Sequence, residues 1–343
     1  LEKYESYIHF GLTSQDINNT ALPLMIKAAV NYEYIPVLKK ICTLLNQKAD
    51  LWKTNVMLSR THGQPVVPTT FGKEIKVFAY RLEKQLELLE NIKYYGKFGG
   101  ASGNFNAHVC AFPEINWEEF TRQFLNQFDL IHNKYTTQID NYENISTLFD
   151  NLKRINCILI DFCQDIWLYI SQEYLKLCIN KNEVGSSTMP HKINPINFEN
   201  AEGNLYFANC MLECLSRKLP ISRLQRDLTD STLVRNIGSI FGHIHLALRN
   251  ITIGIDKLEI NQEAISKDNT YNIVVLMEGI QTILRKYKYT GAYEKCKEFS
   301  RKNTKINILD LEEFVYHLDI EESIKQEITQ ILSVDKYVGY STK

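Results

Sequence analysis

Over residues 145–177, apolar side chains recur at spacings of three and four: Ile145, Leu148, Leu152, Ile155, Leu159, Phe162, Ile166 and Tyr169. One face of an α-helix has that period. At 1.5 Å per residue the run predicts a helix about 50 Å long. Such a helix is not stable alone in water and must bury its apolar stripe along its whole length. This one feature therefore points to long helices packed side by side, an extended bundle.

The rest of the chain agrees. Only 15 Gly and 8 Pro punctuate 343 residues, and they fall between stretches of helical periodicity. A second long helix is predicted over 70–95, with Thr69 or Thr70 as its N-cap. Others are predicted at 14–30, 36–53, 117–128, 196–218 and 230–250. Strand-like alternation is nearly absent, and the segments 59–65, 99–104, 185–195 and 222–231 read as loops between helices. After about residue 254 the pattern changes to shorter, more polar helices. The reading is an all-α fold, with a central helical-bundle domain over 1–253 and a smaller helical C-terminal domain over 254–343.

Charge excludes some functions. A formal net charge of −1 gives no global field toward nucleic acid or a membrane surface, so an anionic ligand must be held by local groups. No apolar run reaches the length of a membrane span. The eight cysteines lack CxxC spacing and read as buried free thiols of a reducing compartment. His243 and His245 are two apart on a predicted helix, point to different sides and do not form a metal pair. The Lys- and Glu-rich face of 73–93 reads as a solvated or inter-helix surface.

The chemistry concentrates in Gly185-Ser186-Ser187-Thr188-Met189-Pro190-His191-Lys192-Ile193-Asn194-Pro195. A serine hydroxyl pair, an imidazole, an ammonium and an amide lie within a Gly- and Pro-bounded loop. Lys192 can meet a carboxylate by charge and Asn194 by donating hydrogen bonds. Composition alone is equally consistent with a polar surface loop. The segment matches the pattern GSSxMPxKxNP, and with IHFGLTSQDINN (8–19), LSRTHGQP (58–65), TTQID (136–140) and RDLTDSTLVRN (226–236) the chain resembles the fumarase/aspartase superfamily. His191 and the last of these segments make it similar to the adenylosuccinate lyase family within it. The resemblance covers essentially the whole chain.

That resemblance implies a β-elimination in which a succinyl C–N bond breaks and fumarate leaves. It implies Ser186 as the base at the succinyl Cβ, with Ser187 its neighbour, and His62 as the acid that protonates the leaving amine. Imidazole has a pKa suited to that task near neutral pH. It further implies Thr13 and Ser14 on a succinyl carboxylate, Lys192 and Asn194 on developing charge, and Thr61, Gln138 and Asn200 as substrate contacts. Arg226, Ser231, Thr232 and Arg235 are the corresponding contacts in the last segment. Ser231 and Arg235, four apart on a predicted helix, suit a phosphate. His9 and His191 are supporting residues. No metal and no cofactor is implied.

The implied substrates are adenylosuccinate and succinyl-aminoimidazole carboxamide ribotide (SAICAR), with AMP, AICAR and fumarate as products. The implied assembly is a cytoplasmic homotetramer whose active sites are shared between subunits. Members of the family carry an N-terminal domain ahead of the TSxDI segment, and the chain, starting at Leu1, reads as the remainder of a longer polypeptide. Two alternatives stand beside this reading: another lyase of the superfamily acting on argininosuccinate, and a catalytically silent helical scaffold of lyase ancestry.

Overall fold

The computed structural model describes residues 2–178, 189, 192–302 and 305–342. Helices dominate. In chain order they are α1 (Ser14–Ala28), α2 (Ile35–Leu51), α3 (Phe71–Glu90), α4 (Asn106–Ala111), α5 (Trp117–Asn126), α6 (Glu143–Ser171) and α7 (Ile196–Lys218). There follow α8 (Thr229–Val234), α9 (Ile237–Asp256), α10 (Gln262–Tyr271), α11 (Met277–Lys286), α12 (Ala292–Lys302), α13 (Ile308–Tyr316) and α14 (Glu322–Gln330). The predicted stripe of α6 is buried from Ile145 through Ile166, and Tyr169 is half-buried.

Three helix boundaries differ from the sequence reading. The gap between the first two helices is closed by a π-helical turn, Ala29–Tyr34, in which the Ile35 N–H reaches back to the Val30 carbonyl. This wider turn leads into Pro36, which has no N–H to give to the ladder. The long helix α6 ends at Ser171 rather than near 177, because Leu175–Leu177 (β5) pairs antiparallel with Leu258–Ile260 (β6). The helix expected over 230–250 is split into α8 and α9 at Arg235 and Asn236.

Two further two-stranded sheets are present among the described residues. The short pair Tyr95–Gly96 (β3) and Ile131–His132 (β4) is parallel. The other, Val56–Thr61 (β1) with Gln64–Thr70 (β2), is an antiparallel hairpin, and it contains the SRTHGQP segment predicted as a loop.

Contacts divide the chain into two compact units: one of residues 1–42, 81–164 and 196–254, the other of 43–80, 165–195 and 255–343. The core of the first includes Leu82, Leu152, Leu159, Leu205, Leu212 and Ile251. The second has a core that joins Val56 and Leu58 of β1 to Leu276, Ile280, Leu311 and Ile328. Of the eight cysteine thiols, Cys42, Cys163 and Cys296 are buried, Cys178 is half-buried, and Cys110, Cys157, Cys210 and Cys214 are exposed on this chain. The expectation of buried thiols thus fails for those four.

Candidate active site

In the first unit, four polar segments are tied together by hydrogen bonds. Thr13 is the N-cap of α1, and Asp16 closes a capping box on it, the Thr13 N–H donating to Asp16 Oδ2 at 2.8 Å. The same carboxylate accepts from Gly99 N at 2.9 Å, from Gly100 N at 3.2 and 3.3 Å, and from Lys97 Nζ at 2.7 Å. The Lys97 and Asp16 side chains are both 0% exposed. Burial holds the Lys97 ammonium below the usual lysine range, and the hydrogen bond and charge of Asp16 oppose that shift. Asp16 therefore fixes the helix start, with Thr13 half-buried and Ser14 exposed, against the loop at 99–100.

The TTQID and RDLTDS segments meet the same helix. Arg226 Nη1 donates to Gln138 Oε1 at 3.2 Å, and Gln138 N donates to the Gln225 carbonyl. The Gln15 amide, set with its oxygen toward the guanidinium, accepts from Arg226 Nη1 at 3.1 Å and Nη2 at 2.8 Å. Below them Asn19 Nδ2 donates to the Tyr142 hydroxyl at 2.8 Å, which donates to Asp230 Oδ2 at 3.1 Å. Asp230 Oδ1 accepts from the Ser231 N–H at 2.7 Å. A cleft of about 340 Å³ opens here, lined by Gln15, Asn19, Tyr142, Asp230, Ser231 and Arg235. Ser231 is half-buried, and Thr232 and Arg235 are exposed, so a hydroxyl and a guanidinium are free to meet an anion. His9 is exposed in the turn before α1. Asn200, on the first turns of α7, accepts from Asn250 Nδ2 at 2.9 Å.

His62 and Thr61 belong to the second unit. Thr61 pairs with Gln64, leaving His62 and Gly63 as the two turn residues of the hairpin. Their φ values are 53° and 75°, the two positive values of a type I′ turn. Glycine adopts this backbone freely, and histidine does so at a cost. All four tip residues, Thr61 to Gln64, are exposed. Lys192 and Asn194 are also exposed, in the irregular segment that leads into α7. Ser186, Ser187 and His191 lie outside the described residues. Among the described residues no group of His, Cys, Asp and Glu could hold a metal ion, and no helix is long and apolar enough to cross a membrane.

Sequence reasoning missed Gln15, Asp16, Lys97, Tyr142 and Asp230. Of these, only Asp16 had a local signal, the capping-box spacing from Thr13. Nothing local marks Lys97, which is 81 residues from its partner.

Comparison with known proteins gives the same result along the whole chain. The Lyase family matches residues 1–208, and the adenylosuccinate lyase C-terminal family matches residues 222–338. The adenylosuccinate lyase of Dictyostelium discoideum is 50% identical, covering 98% of this chain and 74% of that protein. That of Escherichia coli K12 is 41% identical, covering 99% and 74%. Among solved structures, the 3-carboxy-cis,cis-muconate lactonizing enzyme of Pseudomonas putida superposes with a TM-score of 0.80 at 20% identity, covering all of this chain and 76% of that one. A fumarate lyase from Mesorhizobium sp. BNC1 does so at 0.80 and 16%, covering 98% and 76%. These two likenesses concern the fold. With both family matches and relatives of this similarity from end to end, the chain belongs to the adenylosuccinate lyase family, and it is a lyase.

Proposed function

We propose that the chain catalyses β-elimination of fumarate from adenylosuccinate, giving AMP, and from SAICAR, giving AICAR. The observation that carries this is the 41–50% identity to adenylosuccinate lyases over nearly the whole chain. The groups at Gln15, Ser231 and Arg235 support a nucleotide substrate, because a cleft with a guanidinium and a free hydroxyl suits a phosphate. They favour this over an argininosuccinate substrate, and His62 and Ser186 in their family positions argue against a silent scaffold.

In this reading the Ser186 oxygen takes the proton from the succinyl Cβ. The electron pair of that C–H bond is delocalised into the adjacent carboxylate, where Lys192 and Asn194 stabilise the extra charge. It then forms the C=C bond of fumarate as the Cα–N bond breaks. His62 delivers its proton to the departing nitrogen. Thr13 and Ser14, at the start of α1, hold a succinyl carboxylate, and Arg226, Gln138 and Asn200 orient the substrate.

The site residues fall in separate units of the chain, and apolar side chains stay exposed on α7 (Ile196, Tyr206, Phe207) and α9 (Leu246, Ile253). Both facts support a homotetramer whose sites draw on several subunits, and a cytoplasmic location belongs to the same proposal. The division into a bundle domain over 1–253 and a C-terminal domain over 254–343 belongs to the same proposal. The experiment is turnover of adenylosuccinate, followed by absorbance. His62→Gln should lower kcat by about 10²- to 10⁴-fold, and Ser186→Ala should abolish turnover while substrate still binds. Mixing the two variants should restore some activity through hybrid tetramers. A His62→Gln protein with wild-type kcat refutes the acid assignment, and failure of exchanged subunits to complement refutes the shared site.

A further inference from the structure

His62 stands at the exposed tip of a hairpin that is buried only at its base, at Val56 to Leu58 and Pro68 to Thr70. A two-stranded hairpin is marginal in isolation, and Thr61 to Gln64 are all exposed. The direction of the imidazole must therefore be set by what grips the strands just below the tip. On β2 the grip is local: the pairing register shifts between Leu58 and Arg60, and Ser59 Oγ donates to the Val67 carbonyl across the bulge. On β1 it comes from far away in sequence. Arg60, one residue before Thr61, donates from Nη2 to Asp268 Oδ2 at 2.8 Å and to the Tyr174 hydroxyl at 3.4 Å, and its guanidinium lies 6.0 Å from the centre of the Tyr174 ring.

Each partner of Arg60 is itself held. Asp268 Oδ1 accepts from Asn272 Nδ2 at 2.9 Å, and Oδ2 accepts from the Tyr174 hydroxyl as well. Tyr174 stacks on Tyr169 at 6.3 Å and meets Phe71 edge-on at 6.3 Å, and its carbonyl accepts from Asn261 N. Burial and the bond to Asp268 push the Tyr174 hydroxyl up to about 12, so it stays a neutral donor. The next residue of α10, Asn269, donates to the Val56 carbonyl at 2.9 Å, so α10 grips β1 at both ends. Such a rigid support is more than a surface turn needs to stay folded.

We infer that Asp268 and Tyr174 are positioning residues for the reaction: through Arg60 they fix the strand that aims His62. The inference rests on the proposed role of His62 as the acid. On this inference their effect passes through the hairpin.

The test compares Asp268→Asn and Tyr174→Phe in the wild-type and His62→Gln backgrounds, using the full chain. Misplacing a catalytic group by a fraction of an ångström is expected to lower kcat about tenfold, with KM within about twofold. In the His62→Gln background the same substitutions should change kcat less than about twofold, because the group they aim is gone. Equal losses in the two backgrounds overturn the inference, since a merely structural role adds its cost in both. If His62→Gln itself leaves kcat unchanged, the acid assignment fails and the role in the reaction falls with it; amide hydrogen exchange then separately tests the clamp on the hairpin. Faster exchange at Thr61 and Gln64 with α10 still protected supports the clamp, and unchanged tip exchange overturns it.

Discussion

Lys97→Met should destabilise the first unit by about 3 kcal/mol. The ammonium sits 2.7 Å from Asp16 Oδ1 and 2.8 Å from the Gly100 carbonyl, with both side chains sealed from solvent. Removing one member of a buried pair costs roughly 3–5 kcal/mol, because the other charge is left uncompensated. The lower end applies here. Methionine nearly fills the lysine volume, and the Asp16 carboxylate keeps the N–H groups of Thr13, Gly99 and Gly100. That loss corresponds to about a hundredfold change in the folding equilibrium. The double variant Asp16→Asn/Lys97→Met removes both charges and keeps an acceptor for the backbone donors, so it should lose only about 1–2 kcal/mol. Native-state hydrogen exchange over α1 and residues 97–105 measures the opening free energy of this region directly. A cost below about 1 kcal/mol for Lys97→Met, or a double variant as unstable as the sum of the singles, would refute the reasoning.

Two further changes test the same unit. Gly103 has φ 80°, and a Cβ there would lie 2.4 Å from the Thr136 carbonyl oxygen, so Gly103→Ala must push the backbone beside Gln138. We expect a loss of at least about 2 kcal/mol, seen as a melting temperature lower by several degrees; an unchanged melting temperature counts against it. His108 is 2% exposed among Phe10, Phe98 and Trp117, and burial lowers its pKa below the ordinary 6.5, with the Asp16 charge opposing and that of Lys97 adding. Below pH 6.5 the unfolded ring gains a proton that the folded ring refuses, so stability should fall as pH drops from 6.5 toward the folded value. Melting measured across that window should be less steep in His108→Phe, and an identical pH slope would exclude His108 as the cause.

How far the sequence could be read depended on how local each cause is. The helix α7 begins and ends where periodicity and the flanking Pro195 and Pro220 place it. The buried stripe of α6 follows from spacing alone. Its end does not, because Leu175–Leu177 continues an apolar pattern and becomes a strand only by pairing with residues more than 80 positions on. The SRTHGQP hairpin was legible in principle. His62-Gly63 lies between the apolar pairs Met57-Leu58 and Val66-Val67, but the usual Asn-Gly or Asp-Gly signal is missing. The motif residues were found by resemblance. Their supports were not, since Lys97, Asp230 and Asp268 carry no mark in spacing or composition.

Those supports have a common chemical form. Three of the segments that present proposed site residues are polar at their working ends, so apolar packing alone does not hold them there. In each case a carboxylate accepts bonds from two directions instead. Asp16 joins the start of α1 to the Gly99–Gly100 loop, Asp230 joins Tyr142 to the Ser231 backbone, and Asp268 joins Arg60 to Tyr174. An apolar contact of the same area would stabilise as well or better, because burying charge is costly. It would not fix direction, since dispersion is insensitive to rotation and a short charge-assisted hydrogen bond is not. For the proposed acid on the hairpin and the proposed carboxylate-binding start of α1, direction matters more than stability. On this argument, Asp→Leu replacements at these positions should harm geometry even where they leave the chain folded.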